Sequence, residues 1–179
     1  NNYFVPDPFG DSSGRYVVSS IYYDSPDWKF YTEKVDGENE RRKVRIRTYK
    51  PLYRIKTDNI SPEIVSLEIK KRINQNLSKT KIRLSERDAK RLIEGNWGIE
   101  EIEGTTKEER KSLAELMWLK EMYRLRPALM VTYGREALVS RFGVRTRITF
   151  DMNIKYRARN LNFKNVFCKE YVLSPNMII

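Results

Sequence analysis

The nine residues RKVRIRTYK, 42 to 50, constrain this chain more than any other stretch. At the two-residue period of a strand, Lys43, Arg45, Arg47 and Tyr49 fall on one face, and Val44, Ile46 and Thr48 on the other. One face is apolar and must be covered. The other is a row of cations. A sheet of such strands, closed so that the cations point inward, would form a pocket for a polyanion.

The pattern recurs. In EIVSLEIKKRI (63 to 73), Leu67, Ile69 and Ile73 share a face, while Ser66, Glu68, Lys70 and Arg72 share the other. Asn74, Gln75 and Asn76 read as a turn, and the return strand KTKIRLS sets Lys79, Lys81 and Arg83 opposite Ile82 and Leu84. The two strands make a hairpin with one basic face. Upstream, residues 1 to 15 hold Pro6, Pro8, Gly10 and Gly14 and read as a loop; RYVVSSIYYDS (15 to 25) reads as a strand ended by Pro26. Residues 28 to 34 are a helical turn or a loop, and Asp36-Gly37 turns the chain into the basic strand at about residue 40.

The middle of the chain changes character. Ser85 ahead of Glu86, Arg87 and Asp88 is an N-cap pattern for a helix over about 85 to 95, with Leu92 and Ile93 on its apolar edge. A second helix over 107 to 125 carries Leu113, Leu116, Met117, Leu119 and Met122 at helical spacing. Residues 85 to 125 hold ten acids against eight bases, a net of −2, so the remainder of a chain of net +11 carries +13. The positive charge belongs to the strands.

Strand patterns return in RPALMVTYGREALVSRF (126 to 142), with a kink at Gly134. In VRTRITFDMNI, Arg145, Arg147, Thr149 and Asp151 oppose Ile148, Phe150 and Met152; Lys155, Arg157 and Arg159 follow. Residues 163 to 173 read as one more strand, and Met177, Ile178 and Ile179 as the start of another. Trp97, Trp118 and the remaining aromatics are assigned to core or helix cover.

With no histidine, the commonest general base, Ser-His and Cys-His pairs and histidine metal sites are excluded. The lone Cys168 rules out an internal disulfide and a cysteine zinc cluster, and is compatible with a reducing, cytoplasmic location. No run of about 18 apolar residues reads as a membrane span. Glycine-rich phosphate loops are likewise missing from the sequence.

A basic strand face is ordinarily a solvated one. Solvated faces mix signs, however, because like charges directly opposite across a ladder repel. Here Glu68 and Asp151 are the only acids on the faces named, against more than a dozen cations. Such faces need an anion between them. Arginine offers a planar fork to two phosphate oxygens and lysine a point charge, and phosphoryl transfer asks for positioned, neutralised oxygens more than for covalent help.

YYDSPDWKFYTEK (22 to 34), RKVRIRTYK, SLEIKKR (66 to 72), KTKIRLS, RPALMVTYGREAL (126 to 138) and RTRITFD (145 to 151) come in an order that resembles the VTC polyphosphate polymerase domain, of the triphosphate tunnel metalloenzymes related to the CYTH group. The resemblance implies one α+β domain over 1–179: an antiparallel β-barrel or tunnel with inward basic residues and both helices packed outside. It implies transfer of the ATP γ-phosphate to a growing polyphosphate chain with Mn²⁺ or Mg²⁺, and no nucleic-acid partner. Arg45 and Arg47 would contact nucleotide phosphates, Lys70 and Lys81 line the tunnel, and Tyr133, Arg135 and Arg147 complete the grip on the transferred group. The family's first strand, its metal-binding strand and a C-terminal helix are expected outside this chain, the ligand glutamate beyond Ile179.

The residues keep plainer readings beside these. Arg45 and Arg47 could pair with acids across the sheet. Glu68, a weak metal candidate, is read as a partner of Lys70 or Lys81, and Tyr133 as a packing residue. Two other functions share the pattern: a tunnel triphosphatase sending the phosphoryl group to water, and a non-catalytic polyanion or RNA binder.

Overall fold

A computed structural model describes residues 3–51, 64–94, 105–143, 146–163 and 171–173. The strands are β1 (Phe4–Pro6), β2 (Arg15–Asp24), β3 (Glu40–Pro51), β4 (Ile64–Ile73), β5 (Asn76–Ser85), β6 (Arg126–Ser140), β7 (Arg147–Arg157) and β8 (Tyr171–Val172). The helices are α1 (Lys29–Val35), α2 (Glu86–Glu94) and α3 (Lys107–Tyr123). The strands run in the order β5-β4-β3-β2-β6-β7-β8, with β1 beside β6. The fold is α+β with a mainly antiparallel sheet, as the alternation predicts.

The expected closed barrel is corrected: β5 and β8 end the order and are not paired with each other among the described residues, so the sheet is open. Alternation fixes which side chains share a face. Closure depends on tilt, stagger and strand number, none of which alternation encodes. Of the strand expected over 163 to 173, only Tyr171–Val172 lies among the described strand residues. Arg145, Cys168, Trp97 and residues 177–179 fall outside the described residues.

The chain forms two compact units. One contains the end of β2, α1, most of β3, β4, β5, α2, α3 and the start of β6. Its apolar face is continuous across three strands: Val44 opposes Ile69, Ile46 opposes Leu67, Leu67 opposes Ile82 and Val65 opposes Leu84. All seven side chains are buried. Ala89 and Leu92 of α2, and Leu113, Leu116 and Leu119 of α3, are buried at helical spacing. Lys71, on the apolar-face parity of β4, reaches Glu115 of α3 at 2.6 Å, which places α3 over that face.

Each helix of this unit begins at an identifiable signal. Ser85 Oγ accepts from the Asp88 N–H at 3.0 Å, the N-cap read from sequence. Thr106 and Glu109 form a reciprocal capping box at the start of α3. At α1 the Asp24 carboxylate takes the Ser25, Phe30 and Tyr31 N–H groups at 2.8 to 3.0 Å, while Trp28 stands in the left-handed region. Asn74, with a φ of 53°, turns the β4–β5 hairpin. Trp118 is a correction to the aromatic assignment: it is 53% exposed, with Tyr123 against its ring edge.

The other unit contains β1, the first half of β2, the end of β3, β6 from Met130, β7 and β8. Its core is Tyr16, Val18, Tyr133, Ala137 and Ile154, with Tyr49 and Val131 packed against it. Phe9 sets its ring edge to both Tyr16 and Tyr49. The N-terminal segment is more than a loop, because β1 pairs with β6 through Phe4↔Ser140, Val5↔Val139 and Pro6↔Leu138. Gly14 permits this: its φ is +72°, and a Cβ there would stand 2.4 Å from the Ala137 carbonyl oxygen.

The kink expected at Gly134 appears as a register shift between Thr132 and Gly134. The extra residue sits on β7, where Asn153 adopts a φ of 53°. The bulge resets the alternation, so Ile154 is buried while Ile148 and Phe150 are 37% and 40% exposed. No helix among the described residues is long and apolar enough to cross a membrane.

Truncating Leu116, fully buried in the helical unit, should cost roughly 2 to 5 kcal/mol of unfolding free energy. Urea denaturation of Leu116→Ala measures it; an unchanged midpoint would contradict this core.

Candidate functional site

The polar face of the helical unit follows from the same registers as its core. Residues directly opposite in an antiparallel pair share a face at roughly 5 Å. Across β3, β4 and β5 the rows read Lys43–Lys70–Lys79, Arg45–Glu68–Lys81 and Arg47–Ser66–Arg83. Seven of these nine positions are cations and one is an acid. A further row, Arg41–Arg72–Leu77, extends the face toward the hairpin turn.

The single acid is at the centre. Glu68 is 2% exposed, and its Oε2 accepts from Arg45 Nε at 2.9 Å and from the terminal nitrogen NH2 at 2.6 Å. Arg45 also donates to the Tyr22 hydroxyl at 3.1 Å and lies over the Tyr22 ring. Glu68 therefore pairs with Arg45 and not with Lys70 among the described residues; the forked guanidinium on β3 takes the carboxylate, and Lys81 stands directly opposite Glu68 on β5. Burial pushes the Glu68 carboxyl up. Hydrogen bonding and charge from Arg45, then the charges of Arg47 and Lys79, outweigh burial and hold it below the ordinary glutamate value.

Arg47 is buried at 7% exposure, whereas Lys70 and Lys81 are exposed on their strands. Arg45, Arg47, Lys70, Lys81 and Glu68 thus stand on one face of one unit. A cleft of about 440 Å³ opens at the hairpin end of that face, lined by six cations, Lys34, Arg41, Arg42, Lys43, Lys70 and Arg72, with Gln75 and Leu77. The patterns named Lys43, Lys79, Arg83 and Arg72 as face residues but not as site residues. Lys34 carries no strand signal, because α1 brings it there.

The remaining predicted residues lie in the other unit. Arg135 holds Asp151 with both arms, Nε to Oδ1 at 2.6 Å and NH2 to Oδ2 at 2.7 Å, and donates to the Tyr133 hydroxyl at 3.1 Å. Tyr133 packs in the core and presents its ring to Arg135, so its packing reading and its polar contact coexist. Hydrogen bonding to Asp151 raises the Arg135 pKa, keeping the guanidinium charged. Arg147 bonds the Tyr16 hydroxyl and bridges to the buried Asp7 at 2.5 Å. Asp7, in the segment read as a loop, gave no signal as its partner.

A divalent cation needs about six oxygen ligands. Among the described residues no three Asp, Glu or Cys side chains converge. Glu68 has Oε2 occupied by Arg45, and Oε1 is buried without a hydrogen bond, in a field of cations. The described residues alone do not fit a Mn²⁺ or Mg²⁺ site.

These features define a class: an α+β protein with a mainly antiparallel sheet that carries a cationic lattice on three adjacent strands. The sequence matches the VTC domain family over residues 1–179, its whole length, and the chain belongs to that family. No curated protein matches it. Among solved structures it is similar to a Bacillus halodurans protein provisionally described as an adenylate cyclase, at 14% identity and a TM-score of 0.45. The similarity covers 81% of this chain and 60% of that one.

Removing Arg45 takes away the two hydrogen bonds that hold the buried Glu68 Oε2 and leaves only the neighbouring charges of Arg47 and Lys79, so Arg45→Ala should lose roughly 1 to 3 kcal/mol of stability, and Glu68→Leu added to it should restore part of that. Because the folded Glu68 pKa lies below its ordinary 4.5, the pair's contribution is complete above pH 4.5 and is lost as pH falls through the folded value. The stability gap between wild type and Glu68→Gln, followed by urea denaturation, should narrow on acidification below that point. A gap independent of pH would contradict an ionised Glu68.

Proposed function

We propose that this chain grips linear phosphates as the polymerase domain that moves the γ-phosphoryl group of ATP onto polyphosphate. VTC membership supports this reading. The observation that carries it is the lattice of seven cations around one carboxylate on β3, β4 and β5. Like charges at that spacing destabilise a sheet unless an anion joins them. A row of phosphates is an anion of matching shape and repeat.

In the proposed step, a terminal oxygen of the polyphosphate forms a bond to the γ-phosphorus. The bond from that phosphorus to the β–γ bridging oxygen breaks, and ADP leaves with the electron pair. Charge spreads over the oxygens of the transferred group, and cations already fixed by the sheet neutralise it without rearranging. Arg47 and Arg45 are assigned to the nucleotide phosphates. Glu68 orients Arg45, and Lys70 and Lys81 line the path of the chain. For Tyr133, Arg135 and Arg147, within their own unit, the proposed role is also phosphate contact, with an incoming anion sharing the arginines with Asp151 and Asp7. Mn²⁺ or Mg²⁺ remains the proposed cofactor and the cytoplasm the proposed setting.

Titration with tripolyphosphate, with and without Mn²⁺, should show Arg47→Ala binding about tenfold or more weakly than wild type. Undiminished binding in a folded Arg47→Ala protein takes that residue out of the site. Incubation with ATP separates polymerase from triphosphatase: long-chain product supports the first, and free phosphate alone the second.

A further inference from the structure

The cleft at the hairpin end of the basic face differs in kind from the lattice beside it. Its lining among the described residues contains no carboxylate and no aromatic ring. Among the described residues Arg42 is the one member paired with carboxylates, with Glu33 at 2.8 Å and with Glu40. Arg72 donates to the Asn74 carbonyl oxygen, which orients its guanidinium without cancelling its charge. Lys34, Arg41, Lys43 and Lys70 make no ion pair with a carboxylate among the described residues. Two of these, Lys43 and Lys70, belong to the lattice as well, so the cleft and the lattice share a border.

The described lining favours one ligand class. Nucleotides and single-stranded nucleic acids gain much of their binding from bases stacked on aromatic side chains. The described lining of this cleft offers charge, one amide, Gln75, and one aliphatic side chain, Leu77, and no such platform. Its chemistry suits a ligand that is phosphate throughout. Crowding of like charge marks the same place: burial first, then the charges of Lys34, Arg45 and Lys70, hold the Lys43 ammonium below the ordinary lysine value.

Building on the phosphate reading of the lattice, we infer that the cleft formed by Lys34, Arg41, Lys43, Lys70 and Arg72 is a second subsite, which holds the distal phosphates of a linear polyphosphate. It lets the protein discriminate long chains from triphosphates. A triphosphate is held by the Arg45 and Arg47 rows and stops short of Lys34, Arg41 and Arg72, whereas a longer chain crosses the Lys43–Lys70 border and adds those contacts. Four residues apart on one strand face, Arg41 and Arg45 are separated by about 13 Å, so the two subsites call for a chain and not a compact anion.

Calorimetric titration of the 179-residue chain tests this with two ligands, tripolyphosphate and long-chain polyphosphate, on wild type and on the doubly substituted Lys34→Ala, Arg41→Ala protein. Both positions lie outside the Arg45–Glu68–Arg47 row system, and retained circular dichroism verifies folding. Long-chain affinity should fall about tenfold or more while tripolyphosphate affinity stays within about twofold. Equal loss for both ligands, or no loss for either, overturns the cleft assignment while wild-type binding leaves the lattice reading standing. If wild type binds neither ligand, both readings fall. Arg72→Gln, which keeps a donor for Asn74, should reproduce the selective loss; single-stranded RNA held through Lys34 and Arg41 and not displaced by polyphosphate would also overturn the assignment.

Discussion

Repulsion among like charges is the constraint on which the helical unit depends. Cations directly opposite across a ladder destabilise it by roughly 0.2 to 1 kcal/mol a pair. The lattice sets several such pairs side by side, Lys43 with Lys70 and Lys70 with Lys79 among them. Two features offset this. Behind the face, seven aliphatic side chains of β3, β4 and β5 pack beneath α2 and α3. At its centre Glu68 supplies one buried negative charge, bound by both arms of Arg45. The sheet is held from its back, and its front carries the cations, exposed at Lys70, Lys79, Lys81 and Arg83 and buried at Arg47, beside the buried Glu68.

The β1–β6–β7 unit handles arginine differently. Arg135 and Arg147 each have a dedicated carboxylate, Asp151 and Asp7, and each also bonds a tyrosine hydroxyl. Charge there is balanced locally, and the tyrosines carry both packing and polar contact. Tyr16 shows the combination, fully buried in the aromatic cluster with Phe9 while its hydroxyl meets Arg147. On the β3–β4–β5 face of the helical unit seven cations surround one carboxylate, and this density is why the proposed phosphate grip rests first on its lattice.

Much of this was legible in the residues because strand alternation is a local code. The basic faces of β3, β4 and β5, the Asn74 turn and the Ser85 cap were all readable at short range. What failed was long-range. Whether the sheet closes depends on strands that alternation cannot count, and the order ends open at β5 and β8. That Arg45 across β3 takes Glu68 Oε2 is decided by guanidinium geometry once the strands are in register. The bulge at Asn153 inverted the exposure expected for Ile148 and Phe150. Lys34 reaches the cleft only because α1 is a helix.

The central claim is that the basic face of β3, β4 and β5 is built for a bare phosphate chain. Competition between tripolyphosphate and single-stranded RNA tests it most directly, read by fluorescence anisotropy of labelled RNA at increasing salt. The account predicts that any RNA binding is weak, falls steeply with salt, and is abolished by tripolyphosphate. RNA binding that tripolyphosphate cannot displace would contradict it.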